Sequence, residues 1–253
     1  MTAWWTLLRR ELGAYLLSLT GYVILTAVAF LLGVGFTLVV LAYNGDSLTV
    51  PLTELFYSTL FFWLILLVAT PMITMRLFAQ ERATGTYETL MTCPVGELSV
   101  VLAKFAAGLL FYTVMWIPLI VCLLIVHRYT AEGTAFDWWP VASTSLGILL
   151  MGALYVAIGC LASALTRSQI VAAILSFAIG LTLFLLSFAE YSLGPRGGWL
   201  ADAARYVSML DHMEDFVRGV VDTRRITFYL SLTFLFLFLT VKVVEGRRWR
   251  RST

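Results

Sequence analysis

Of 253 residues, 60% are hydrophobic and only 13% are charged, and the mean hydropathy is +0.91. Soluble domains run nearer half apolar and a quarter charged, so this composition excludes a water-soluble core and makes lipid the main solvent. The net charge of +2 says little as a total, and its distribution along the chain carries the information.

Residues 1–19 place Trp4, Leu8, Leu12, Tyr15, Leu16 and Leu19 at helical spacing, interrupted by Arg9, Arg10 and Glu11. This pattern predicts an amphipathic helix lying in the membrane interface, with the tryptophans at headgroup depth. No small-residue cleavage site follows, so no removable signal peptide is expected. The first span is predicted over 21–43 and the second over 56–75, both uncharged, with the polar stretch 44–54 between them. Arg76 ends the second span. The third, 101–126, carries Lys104 near one end, where its amine is expected to snorkel to water, and Pro118, which should kink the helix. The fourth, 141–165, is rich in Gly, Ala and Ser (Ser143, Gly147, Gly152, Gly159 and Ser163 among them), so it should pack closely against other helices. After a polar turn at 166–169 come the fifth span, 170–189, and the sixth, 226–244, which runs into a basic tail suited to anionic lipid. The segment 192–225 reads as an amphipathic outer helix or helix pair, with Leu200, Ala203, Val207, Leu210, Met213, Val217 and Val220 on its apolar face. It could lie on the bilayer, dip into it, or cap a cavity between subunits. The expected fold is therefore an all-α membrane protein of six spans forming one domain over 1–253.

Six spans put both termini on one side. That side holds eleven Lys and Arg residues, namely Arg9, Arg10, Arg76, Arg82, Lys104, Arg167, Lys242, Arg247, Arg248, Arg250 and Arg251, against six on the other. The positive-inside rule then places the termini, the connection 76–99 and the 166–169 turn in the cytoplasm.

No phosphate-binding G-x-x-x-x-G-K-[ST], H-E-x-x-H or G-x-S-x-G motif occurs. Cys93, Cys122 and Cys160 form neither a disulfide framework nor a zinc pattern. His127 and His212 lie outside the spans; His212 is flanked by Asp211, Glu214 and Asp215, but a solvated histidine is the expectation rather than a metal site. Only Lys104, Glu190 and Lys242 lie in or beside a span, all near ends, so no proton relay is apparent. Energy for moving a solute would have to enter from outside the bilayer.

That directs attention to Arg76–Ser99, the most polar interruption in the first half. Its helical pattern continues to Glu81, breaks at Ala83–Thr86, and resumes as a short helix over about 87–92. Thr84 or Thr86 can cap this helix, Glu88 lies in its first turn, and Pro94 closes it. The plain alternative is a solvated hairpin.

The stretch F-A-Q-E-R-A-T-G-T-Y-E-T-L-M-T-C-P-V, residues 78–95, resembles the Glu-Arg…Gly-Thr…Glu-x-Leu…Pro pattern of ABC-2 type permeases, the membrane subunits of ATP-binding-cassette transporters. The stretch 211–232 is similar to the segment leading into the last span of the gliding-motility-associated, GldF-like, branch. The resemblance implies that Glu81, Arg82, Gly85, Thr86, Glu88, Leu90 and Pro94, with the capping Thr84, form the coupling element that meets an ATPase. It implies two permease chains, or this chain and a homologue, pairing with two ATPase subunits that hold ATP and Mg, with no cofactor in this chain. It also implies an exporter with a path near spans one, two and five, in a bacterial inner membrane, with room for an accessory membrane or periplasmic protein and none for nucleic acid. The competing expectation is a membrane anchor or assembly protein that recruits a cytosolic partner through the same loop. An intramembrane enzyme fits poorly, because no paired catalytic residues are present.

Overall fold

The computed structural model describes residues 2–43, 52–86, 96–129, 138–188, 199 and 206–249. Among these the chain is helical, with no strand, and six helical stretches are long and apolar enough to cross a membrane.

Helix α1, Thr2–Leu16, is set off by a turn from α2, Leu19–Tyr43, the first span. Helix α3, Leu52–Tyr57, precedes α4, Leu60–Thr74, which with α5, Ala79–Thr84, makes the second span and its extension. The third span is two helices, α6, Glu97–Met115, and α7, Ile117–Tyr129. The expected kink is thus a break centred on Trp116, two residues before Pro118. Proline has no N–H to offer Val114 O, and the Trp116 amide bonds back only three residues, to Thr113 O at 3.1 Å. Helices α8, Trp138–Leu165, and α9, Gln169–Leu186, are spans four and five. The short α10, Met209–Val217, precedes α11, Thr223–Trp249, the sixth span.

The core sits on α8, which packs against α4, α6, α9, α10 and α11. Its small residues explain how one helix touches so many. A Cβ at Gly152 would collide with the Tyr112 ring, and one at Gly159 with the Thr74 side chain. Backbones approach there because nothing projects between them.

The outer segment dips into the bundle. Tyr57 donates to Leu210 O at 2.6 Å, Trp139 Nε1 to Gly219 O at 2.7 Å, Ser187 Oγ accepts from Met209 N at 2.8 Å, and Ser143 donates to Phe216 O. The buried face of α10 is Met209, His212, Met213, Phe216 and Val217. Met213 and Val217 of the expected stripe are buried as expected, Val207 and Leu210 are half-buried, Val220 beyond the helix is exposed, Leu200 and Ala203 lie outside the described residues, and Met209, His212 and Phe216 join the buried face. The reason is that α10 faces helices rather than lipid, and small residues such as Gly147 accept its bulky side chains. His212 corrects the expectation of a solvated histidine. It is 1% exposed, its Nδ1 lies 3.3 Å from Tyr229 Oη, and burial, then Arg225, pushes its pKa down to about 4. Ion pairs Arg218–Glu54 and Arg225–Asp215, both 3.1 Å, tie the rim of this segment to α3 and α11.

Candidate functional site: the tethered connection between spans two and three

The site begins with a break in a helix. α4 ends at Thr74, residues 75–78 form turns, and α5 restarts at Ala79. A break at this depth strands backbone groups that must be satisfied. Ser163 on α8 does this. Its hydroxyl accepts from Phe78 N and Ala79 N, both at 3.0 Å, and donates to Met75 O at 3.2 Å. Ile73 O, also released by the break, accepts from Tyr15 Oη at 2.8 Å, and Tyr15 stacks on Phe111 with centroids 4.9 Å apart. One serine and one tyrosine therefore join the break to α8, α1 and α6.

The two charged residues of α5 then dock in different directions. Arg82 turns to the C-terminus of α8, donating to Ala164 O and to Thr166 O, the latter at 2.8 Å. A cation at a helix C-terminus satisfies carbonyls that have no intrahelical partner and complements the dipole. Glu81 turns to α1 and α6. Its Oε1 lies 3.0 Å from Lys104 Nζ and 2.8 Å from Arg10. Glu11 Oε1 lies 3.1 Å from the same Lys104 Nζ and 2.7 Å from Arg10. Lys104 is 2% exposed and also faces the Phe78 ring, 5.3 Å from its centroid.

Two expectations are corrected here. Lys104 does not snorkel to water; it is the buried centre of a four-residue ion network. Glu11 does not interrupt an apolar stripe but belongs to the buried face of α1, with Leu8 and Tyr15, while Leu16 and Leu19 are exposed. The physical cause is common to both. Each long charged chain is buried because the other supplies its counter-charge.

Of the eight predicted coupling residues, Glu81 and Arg82 are turned inward as tethers. Thr84, Gly85 and Thr86 are exposed at the tip. Gly85 ends α5 with φ +77, a left-handed conformation that suits glycine. Thr84 and Thr86 hydroxyls lie 2.9 Å apart. Glu88, Leu90 and Pro94, and the expected helix over 87–92, fall outside the described residues. Ser163, Lys104, Glu11 and Tyr15 are the contributors that sequence reasoning did not assign to the site. For Lys104 a signal existed: a lysine inside a span requires a partner, and Glu11 and Glu81 are among the acids that the charge count assigns to the same membrane end.

Between α1, the break and α6 lies a cavity of about 510 Å³, lined by Arg10, Glu11, Arg76, Glu81, Thr86 and Lys104 among others. Among the described residues no group of His, Cys, Asp and Glu is arranged to hold a metal.

Six apolar helices around a glycine-rich centre, with a tethered polar break between the second and third, define a polytopic membrane domain. The chain matches the ABC-2 family transporter protein over residues 41–241, from the end of α2 through most of α11, and it belongs to that family. It is therefore a multi-pass membrane subunit of an ABC transporter, and its family works with an ABC ATPase. No curated protein matches the chain.

Proposed function

We propose that the chain is the permease of an ABC exporter, working as a dimer with itself or a homologue, in which residues 76–99 receive the ATPase stroke. The supporting observation is the double tether of α5. Arg82 and Ser163 fix it to span four, and Glu81 fixes it to α1 and span three through Lys104. A displacement of so short and so firmly held a helix reaches three elements at once. The positive-inside count puts this end in the cytoplasm, where ATP and Mg are held by the partner ATPase. The bacterial inner membrane and the gliding-motility-associated branch fit the same reading through the resemblance of residues 211–232.

In this reading the coupling residues divide the labour. Thr84, Gly85 and Thr86 are available to the partner, whereas Glu81 and Arg82 pass motion inward. Co-purification with the cognate ATPase tests this. Thr86→Trp at the exposed tip should weaken association with insertion unchanged. Glu81→Gln should preserve association and reduce the stimulation of ATP hydrolysis. If neither variant alters association or stimulation, 76–99 is not the coupling element. Association that never stimulates hydrolysis, even in the unaltered pair, would favour the anchor role.

A further inference from the structure

We infer that the cavity between α1, the 75–78 break and α6 binds a phosphodiester headgroup, with Arg76 as the anion-recognising residue.

Charge leads to this ligand. Five charged side chains line the cavity, and four of them, Arg10, Glu11, Glu81 and Lys104, form the ion network, in which Glu81 Oε2 is buried without a hydrogen-bond partner. Arg76 is the fifth. It is half-buried, and among the described residues no carboxylate lies within bridging distance of its guanidinium. A guanidinium removed from bulk water without an anion is costly, and its planar fork matches a phosphate in a two-point contact. Gln80 in the same lining adds an amide donor, while the Thr84 and Thr86 hydroxyls there already donate to α5 carbonyls or to each other.

The net charge of this lining is +1, three cations against two carboxylates. One monoanion neutralises it. A phosphodiester carries a single negative charge, whereas a phosphate monoester carries about −1.5 to −2 near neutral pH and would face Glu11 and Glu81. About 510 Å³ is far more than one ion requires and falls in the range of sites that hold a small organic group.

Position favours the membrane as the source. α1 exposes Trp4 and Trp5, side chains that settle at headgroup depth, and α1 forms one wall of the cavity. A phospholipid could place its phosphodiester against Arg76 with its acyl chains outside the bundle. A soluble phosphodiester shares the chemistry and lacks the chains.

The test is native mass spectrometry of the purified full chain with phosphatidylglycerol added at a fixed ratio. The unaltered protein should retain one tightly held lipid. Arg76→Gln should lower that occupancy roughly tenfold, the loss expected for a charge-assisted hydrogen-bonded pair. Arg76→Lys, which keeps the charge but not the fork, should lower it severalfold and guards against loss of the glutamine variant to misfolding. Arg9→Gln, an exposed α1 guanidinium outside the cavity, should leave occupancy unchanged. Equal retention by the unaltered protein and both Arg76 variants overturns the site. Equal loss from Arg9→Gln and Arg76→Gln also overturns it, because attraction would then be general surface electrostatics. Millimolar glycerophosphoglycerol separates the sources: displacement identifies a soluble phosphodiester, resistance identifies the lipid, and either agrees with the assigned chemistry.

Discussion

Lys104→Met is the most informative single perturbation of the tethered connection. Lys104 Nζ lies 3.1 Å from Glu11 Oε1 and 3.0 Å from Glu81 Oε1 and is 2% exposed. Methionine fills nearly the same volume, so packing against Phe78 survives and the charge is the main loss. The two carboxylates, with side chains 12% and 17% exposed, are then left facing each other with only Arg10, itself 52% exposed. Removing one partner of a buried pair typically costs about 3–5 kcal/mol, and the partial exposure of both acids puts the expectation near the lower end, about 3 kcal/mol. Most of that is the penalty of stranded charge rather than the worth of the pair. The triple variant Lys104→Met, Glu11→Gln, Glu81→Gln should therefore recover most of the loss. The assay is reversible unfolding of the purified protein in mixed detergent micelles, with the unaltered chain, the single variant and the triple variant in parallel. A single variant within about 0.5 kcal/mol of the unaltered chain, the ordinary surface range, would refute the network as a structural element. A triple variant no more stable than the single would refute stranded charge as the cause.

Ser163→Ala leaves two buried amides and one carbonyl at the 75–78 break without their partner. At about 1–3 kcal/mol per stranded buried group, it should destabilise by several kcal/mol, with faster amide exchange at residues 75–79 as the local readout. Gly159→Leu should force α8 away from Thr74 and lower the yield of folded protein, whereas Gly13→Leu, where a Cβ meets nothing, should fold normally. His212 sets a pH dependence. Its pKa is pushed from 6.5 to about 4, so the unfolded chain takes up a proton that the folded chain refuses. The stability this gives is complete above about pH 6.5 and is lost as pH falls toward about 4, amounting to at most about 3 kcal/mol. Stability measured over that interval should flatten in His212→Gln.

The six spans were legible because uncharged apolar runs have few alternatives in lipid. The buried role of the fourth was legible because its small residues invite close approach, and the three-dimensional arrangement bears that out at Gly147, Gly152 and Gly159. The turn at Gly85 was legible from residue type alone. The break at 75–78 was not, since Met75–Phe78 carries no glycine or proline. The partner that makes it tolerable, Ser163, lies 85 residues from Phe78. The same holds for Glu11, whose meaning depends on Lys104, 93 residues away. Pairings at such separations leave no periodic trace, and a charged residue in an apolar stripe reads as an interruption until its counter-charge is located.

Adjacency within α5 explains why these long-range partners matter together. Consecutive residues on a helix point about 100° apart, given 3.6 residues per turn. Glu81 and Arg82 therefore cannot face the same neighbour, and their opposite charges suit different ones: a buried ammonium on α6 for the acid, the carbonyl end of α8 for the base. Exchanging the two residues would place a carboxylate against carbonyl oxygens and a guanidinium against Lys104, so their order is fixed by their surroundings. Held on two sides, α5 leaves Gln80, Ala83 and Thr84 exposed, and Gly85 in the left-handed region ends it at its C-terminal tip. In the proposed coupling, a force applied at that tip would meet a short, doubly tethered helix and be divided between spans three and four. The Glu81–Arg82 exchange, which keeps composition and net charge, should therefore remove both tethers at once and uncouple the tip from the bundle more completely than Glu81→Gln alone. Comparing ATPase stimulation by these two variants at equal association would measure how much of the transmission passes through the α8 tether.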